Sequence, residues 1–174
     1  MSTVDQPRFG AVDVHYPAAG GARAALVVAA DDRLEHVVAE RVCWLDTVAA
    51  YQPGSFYTRE LPAILAVLAG TPPLSVLVVD GYCDLDPYGR PGLGAHLHRE
   101  AGVPVIGVAK TAFHTATHAV PVVRNGARPL YVTAAGLPTD EAAAMVATMA
   151  GPYRLPDALR RVDALARGHA APRS

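Results

Sequence analysis

Three carboxylates and one lysine stand where chemistry needs them. Asp13 lies mid-way along an apolar run, FGAVDVHY (9–16), between two valines. Aspartate is disfavoured inside a strand, and its buried charge is costly without a partner. Asp80 closes a second run, LSVLVVDG (74–81). Glu60 sits at the start of a helical segment in YQPGSFYTRELPAILAVLAG. If the first and fourth strands are neighbours, the three groups converge. Three such anions repel one another unless cations sit among them, and hard oxygen ligands suit Mg²⁺ or Mn²⁺. Lys110 ends VPVIGVAK (103–110), where an ammonium can hold a phosphate or a developing anion. Plainer readings stand beside these. Asp80-Gly81 is also an ordinary strand-end turn. Glu60 also complements a helix start, and Lys110 also fits a surface lysine with a buried stem. Asp13 is the hardest to explain that way.

The elements that must position these groups follow from periodicity. FGAVDVHY, AALVVAA (24–30) and HVVAERVCW (36–44) are β-type runs with brief connections, which predicts an antiparallel meander. Leu61, Ile64, Leu65 and Leu68 then fall on one helical face. Pro62 is tolerable only in a first turn, so the helix is expected to begin near Thr58 and to end at Gly70. LSVLVVDG and VPVIGVAK read as buried strands, with a short helix around 93–100 between them. PLYVTA (129–134) is a third such strand. Thr139 is expected to cap DEAAAMVATM, which carries acids in its first turn. PDALRRVDALAR (156–167) opens on proline and ends at Gly168. The pattern predicts an α/β fold: three antiparallel strands, then parallel strands, in one mixed sheet with helices on its faces. One domain spans 9–168, between disordered tails at 1–8 and 169–174.

Composition bounds the partners. At 174 residues and 51% hydrophobic, the chain supports one sizeable core. A net charge of -1 gives no global attraction for a polyanion, so nucleic-acid binding needs a local basic strip. Arg124, Arg128, Arg154, Arg160, Arg161 and Arg167 are candidates for it, and a solvated face is the alternative. Cys43 and Cys83 form no CxxC pair, as in a reduced cytoplasmic chain. There is no signal pattern and no apolar run of the roughly 18 residues a membrane span needs.

Four blocks in this order, VDVHY, YQPGSFYTRELP, LVVDG and VPVIGVAK, resemble the endonuclease V family, as does YRLPDALRRVDALAR near the end. The resemblance covers most of 9–168 and implies an RNase H-like fold with helices on both faces of the sheet. By position it assigns Asp13, Glu60 and Asp80 as metal-binding carboxylates and Lys110 as the catalytic lysine. Asp163 matches an Asp or His near the metal. Tyr51 matches the wedge that enters a duplex beside the lesion. Pro53, Gly54, Gly81 and Ala109 match the pocket for an extruded base, and Arg59 precedes Glu60 as in the family. The implied activity is Mg²⁺-dependent repair endonuclease action, with Mn²⁺ able to substitute. It cuts the second phosphodiester 3′ to inosine in DNA or RNA and leaves the base in place. The implied protein is a cytoplasmic monomer with nucleic acid as partner and no membrane. The chain departs from the family after LVVDG: YCDLDPYGRPG places Asp86 where the family carries histidine. That loop, with the short stretch before FGAVDVHY where the family carries a helix, motivates one alternative, a non-catalytic nucleic-acid- or partner-binding relative; a second is a nuclease of this scaffold with another substrate.

Overall fold

The computed structural model describes residues 5–50, 52–53, 57–169 and 172. Its seven strands are β1 (Phe9–His15), β2 (Ala22–Ala29), β3 (Val37–Leu45), β4 (Val76–Asp80), β5 (Val105–Ala109), β6 (Val120–Val122) and β7 (Leu130–Ala135). They form one sheet in the order β3-β2-β1-β4-β5-β7-β6. β1, β2 and β3 pair antiparallel as a meander, and β4 and β5 continue in parallel from β1. The fold expected from the sequence is present to this point, and β1 and β4 are neighbours.

The far side of the sheet corrects the expectation of further parallel strands. β7 runs antiparallel to β5, and β6 runs antiparallel to β7. A parallel return needs a long crossover, usually a helix. The connection from β5 carries β6 and turns but no helix, so the chain comes back antiparallel. β6 has only three residues, with Pro121 at its centre. Proline cannot donate to a ladder and sits at sheet edges.

Helices cover both faces. Alternating side chains of a strand point to opposite sides, and here Ala11 and Val78 join one core while Val12, Leu77 and Val79 join the other. The first core is closed by α3 (Thr139–Thr148) and α4 (Asp157–Ala166), and the second by α1 (Tyr57–Leu68) and α2 (Leu93–Ala101). Two helix starts differ in detail from expectation. Pro138 holds the cap position of α3, and Thr139 is its first residue with no side-chain cap. Pro156 likewise precedes α4. Proline's fixed φ suits a helix entry without a capping side chain.

Candidate active site

The strand register brings the acids together. Val12 pairs with Val79 in the parallel β1–β4 ladder, so the next residue of each strand, Asp13 and Asp80, stands at the carboxyl end of the sheet. Asp13 shares a face with Ala11, and Asp80 with Val78; this is the face covered by α4. Asp163 is on that helix, beside the buried Val162. Glu60 arrives from the opposite layer. It is in the first turn of α1 and 9% exposed. Lys110 follows β5, with its Nζ 3.8 Å from Asp80 Oδ2.

The electrostatics reflect burial first and crowding of like charge second. Burial, and then the charge of Asp80, pushes the Asp13 carboxyl up to about 7; Asp163 adds to this, and the Val14 N–H donated to Asp13 opposes it. Burial, and then Asp13 and Asp80, pushes Glu60 up to about 8, while Arg59 opposes. Asp80 is raised by desolvation, with Lys110 working against it. Asp163 accepts a hydrogen bond from Arg167 Nε at 3.0 Å. The Tyr16 hydroxyl is raised by burial and by Glu60. The site therefore presents three carboxyl groups, Asp13, Glu60 and Asp80, held above their ordinary range by burial and by one another, with Asp163 beside Asp13 and Asp80. An all-oxygen set of this kind fits a hard divalent cation.

A cavity of about 300 Å³ opens beside Asp80, lined by Tyr57, Gly81, Tyr82, Leu85, Leu93 and Phe113 among others. Gly81 turns the chain out of β4 at φ +121°, a conformation that L side chains rarely adopt. Its N–H donates to the Val108 carbonyl at 2.9 Å. The cavity wall is stitched across two segments. Tyr82 Oη donates to Thr111 O at 2.6 Å and accepts from the Phe113 N–H at 3.0 Å. Thr115 Oγ1 donates to Leu85 O at 2.5 Å. Asp86 accepts from the Tyr88 and Arg90 N–H groups, so it folds the loop on itself. Tyr82 and Phe113 fall outside the motifs that the sequence singles out. The available signal was aromatic side chains flanking the ends of two buried strands.

Other sequence candidates are placed differently. Arg59 stacks its guanidinium 3.9 Å over the Tyr16 ring and borders a separate cavity with Pro17, Asp46 and Ala50. Ala109 is buried and pairs with Tyr131, but it is not among the residues lining the cavity beside Asp80. Pro53 is an exposed turn residue. Tyr51 and Gly54 lie outside the described residues, as do 1–4, 170–171 and 173–174 of the expected tails. The basic strip breaks up. Arg124 donates to the carbonyls of Val146 and Gly151, and Arg154 to those of Lys110 and Pro129. Arg161 forms a two-point pair with Glu40. Arg160 covers the Tyr153 ring. At the opposite end of the sheet, ligand atoms of Asp31, Glu35 and His36 lie within 4.8 Å of one another; Asp31 there accepts the N–H groups of Arg33, Glu35 and His36, which closes the β2–β3 turn.

The sheet order, with acids just past the last rung of the parallel β1–β4 ladder, defines an RNase H-like nuclease scaffold. The family model described as Endonuclease V matches residues 2–135. Endonuclease V of Streptomyces coelicolor is 35% identical over 92% of this chain and 78% of its own length. The crystal structure of Endonuclease V from Streptomyces avermitilis superposes with a TM-score of 0.81 at 31% identity, covering 95% of this chain and 85% of that one. Endonuclease V of Ciona intestinalis, solved with a DNA 23-mer containing an inosine followed by a ribo-adenosine, shares the fold at TM-score 0.79 and 18% identity, over 97% of this chain and 87% of that one. The chain belongs to the endonuclease V family. Among the described residues no helix is long and apolar enough to cross a membrane, and both cysteines are free.

Proposed function

We propose that this protein is a divalent-metal-dependent endonuclease that hydrolyses the second phosphodiester 3′ to inosine in DNA or RNA. The observation that carries the reading is that Asp13 and Asp80 stand close enough to Glu60 to raise its carboxyl, with the Lys110 ammonium beside Asp80 and an apolar cavity opening at Asp80. Asp13, Glu60, Asp80 and Asp163 would hold the cation, Mg²⁺ or Mn²⁺. When bound, such an ion supplies an activated water, charge neutralisation and a stabilised leaving oxygen. Lys110 steadies the negative charge that develops on the phosphoryl group. The cavity accepts the extruded base against Tyr57, Tyr82 and Phe113. Extrusion costs a few kcal/mol and least where pairing is already weak, as at inosine. Tyr51 is the residue to fill the gap left in the duplex. The protein acts as a cytoplasmic monomer.

The test is an end-labelled oligonucleotide carrying one inosine, in DNA and RNA versions, incubated with the protein and Mg²⁺ or Mn²⁺. An inosine-free strand and the Asp80→Ala variant run alongside. A single cut 3′ to inosine, absent from both controls, is the expected result. Cleavage of branched or single-stranded substrates instead, independent of inosine, would favour the altered loop at 82–92 having changed the substrate. Absence of cleavage on every substrate would leave a nucleic-acid- or partner-binding relative.

A further inference from the structure

Lys110 lies one residue beyond the last β5–β7 pair, Ala109 with Tyr131. Its carbonyl therefore has no strand rung to hold it, and neither have those of Arg128 and Pro129, just ahead of β7. Arg154 fills this gap. Its Nη2 donates to Lys110 O at 2.6 Å and to Pro129 O at 2.8 Å, and its Nε donates to Arg128 O at 3.1 Å. One planar guanidinium thus continues the ladder past its end, a task that a fork of fixed donors performs and a point charge does not. The segment that carries Arg154 is itself clamped from the other side. Arg124 donates to Gly151 O at 3.0 Å and to Tyr153 O at 3.4 Å.

We propose that Arg154 is a positioning residue for Lys110: it fixes the backbone from which the ammonium reaches the Asp80 carboxylate. The inference rests on the reading of Lys110 as a group that meets the phosphoryl charge. Arg154 itself touches neither Asp80 nor the cavity. Its guanidinium is occupied by carbonyls, so its effect on the reaction passes through the lysine. Misplacing a reacting group by about 1 Å is worth up to roughly 100-fold in rate, and a loss confined to the transition state appears in kcat with KM little changed.

Lys110 is the only lysine in the chain, so isotopic labelling with lysine alone gives a backbone amide and an ammonium signal that need no further assignment. The experiment compares wild type, Arg154→Ala, Arg154→Gln and Arg124→Ala by lysine-selective NMR and by cleavage of the inosine oligonucleotide. Arg154→Ala is expected to shift the Lys110 signals and speed exchange of its amide. It should lower kcat about 10- to 100-fold with KM changed less than about twofold. Millimolar guanidinium should restore part of the rate. Arg154→Gln, which keeps two amide donors, should lie between, and it decides the matter if the alanine variant does not fold. Arg124→Ala, which loosens the segment that carries Arg154, should lower the melting temperature and shift the Lys110 signals in the same direction as Arg154→Ala but less. In a Lys110→Ala background, removing Arg154 should cost less than about a further twofold, because the two residues act as one unit. The proposal is overturned if the Lys110 signals of both Arg154 variants match wild type, or if the two rate losses multiply. If wild type cuts no inosine substrate, the proposed function fails, while the lysine signals still decide whether Arg154 sets the geometry.

Discussion

Asp13 is held in a state that costs the fold. Its carboxyl is raised to about 7 by burial and by Asp80, so ionising it in the metal-free protein is unfavourable. Asp13→Asn removes that conflict with little change of shape. At pH 8 the variant should be more stable than wild type without metal, by about 1 kcal/mol, and slower in cleavage by at least about 100-fold. Thermal melts and single-turnover cleavage read the two effects, and a variant that is both less stable and fully active would remove Asp13 from the site. The pH dependence follows with a definite sign. Asp13 and Glu60 have folded pKa values of about 7 and about 8, above their ordinary 3.8 and 4.5. Between about pH 4 and pH 8 these two groups hold more protons in the folded chain than in the unfolded one, so their contribution to metal-free stability falls as pH rises through that window. A divalent cation binds the ionised form. The rise in melting temperature on adding Mg²⁺ should therefore be larger at pH 8.5 than at pH 5.5, and equal shifts at both would show that these acids do not hold the ion.

At the scale of elements, α4 carries Asp163 to the site, and one ion pair seats the helix. Arg161 donates from Nε and Nη2 to the two carboxyl oxygens of Glu40 on β3, at 2.9 and 2.8 Å, and the Glu40 side chain is fully buried. Breaking a buried pair from one side costs more than the pair contributes. Arg161→Ala should destabilise the fold by about 3 kcal/mol, seen in chemical denaturation, and should weaken Mg²⁺ binding because Asp163 is two residues away. Replacing both partners by apolar residues should recover much of the stability. No run of residues foretells this contact, which joins positions 121 apart in sequence. The same limit separates what was legible from what was not. The meander, β4, β5 and the helix faces could be read because each is written in its own periodicity. Asp13 was legible because an acid between valines contradicts its surroundings. β6 was not, because three residues around a proline carry no period. The fate of the arginines was hidden too: where a guanidinium ends depends on which carbonyls the fold leaves unpaired, as at Arg154 and Arg124.

For the molecule as a whole, those engaged arginines limit how much charge meets a phosphate backbone. With a net charge of -1 and several guanidiniums turned to the protein's own carbonyls, few phosphates can be neutralised. Each phosphate contact contributes about -0.9 to the logarithmic salt slope, so a slope no steeper than about -3 is expected for binding of inosine-containing duplex. Anisotropy titrations across a range of KCl measure it, and a much steeper slope would mean that a basic surface forms on binding. A slope that shallow would place recognition in the pocket beside Asp80 more than in grip along the strand.

The solitary lysine has a practical corollary. Acylating reagents seek primary amines and pass over guanidinium, so on this protein they have one side-chain target, and it stands 3.8 Å from the Asp80 carboxylate. A sulfonated succinimidyl ester should act as an active-centre titrant, with loss of cleavage tracking acylation of Lys110 in mass spectra. Labels meant for the surface will silence the protein unless they are attached through another chemistry.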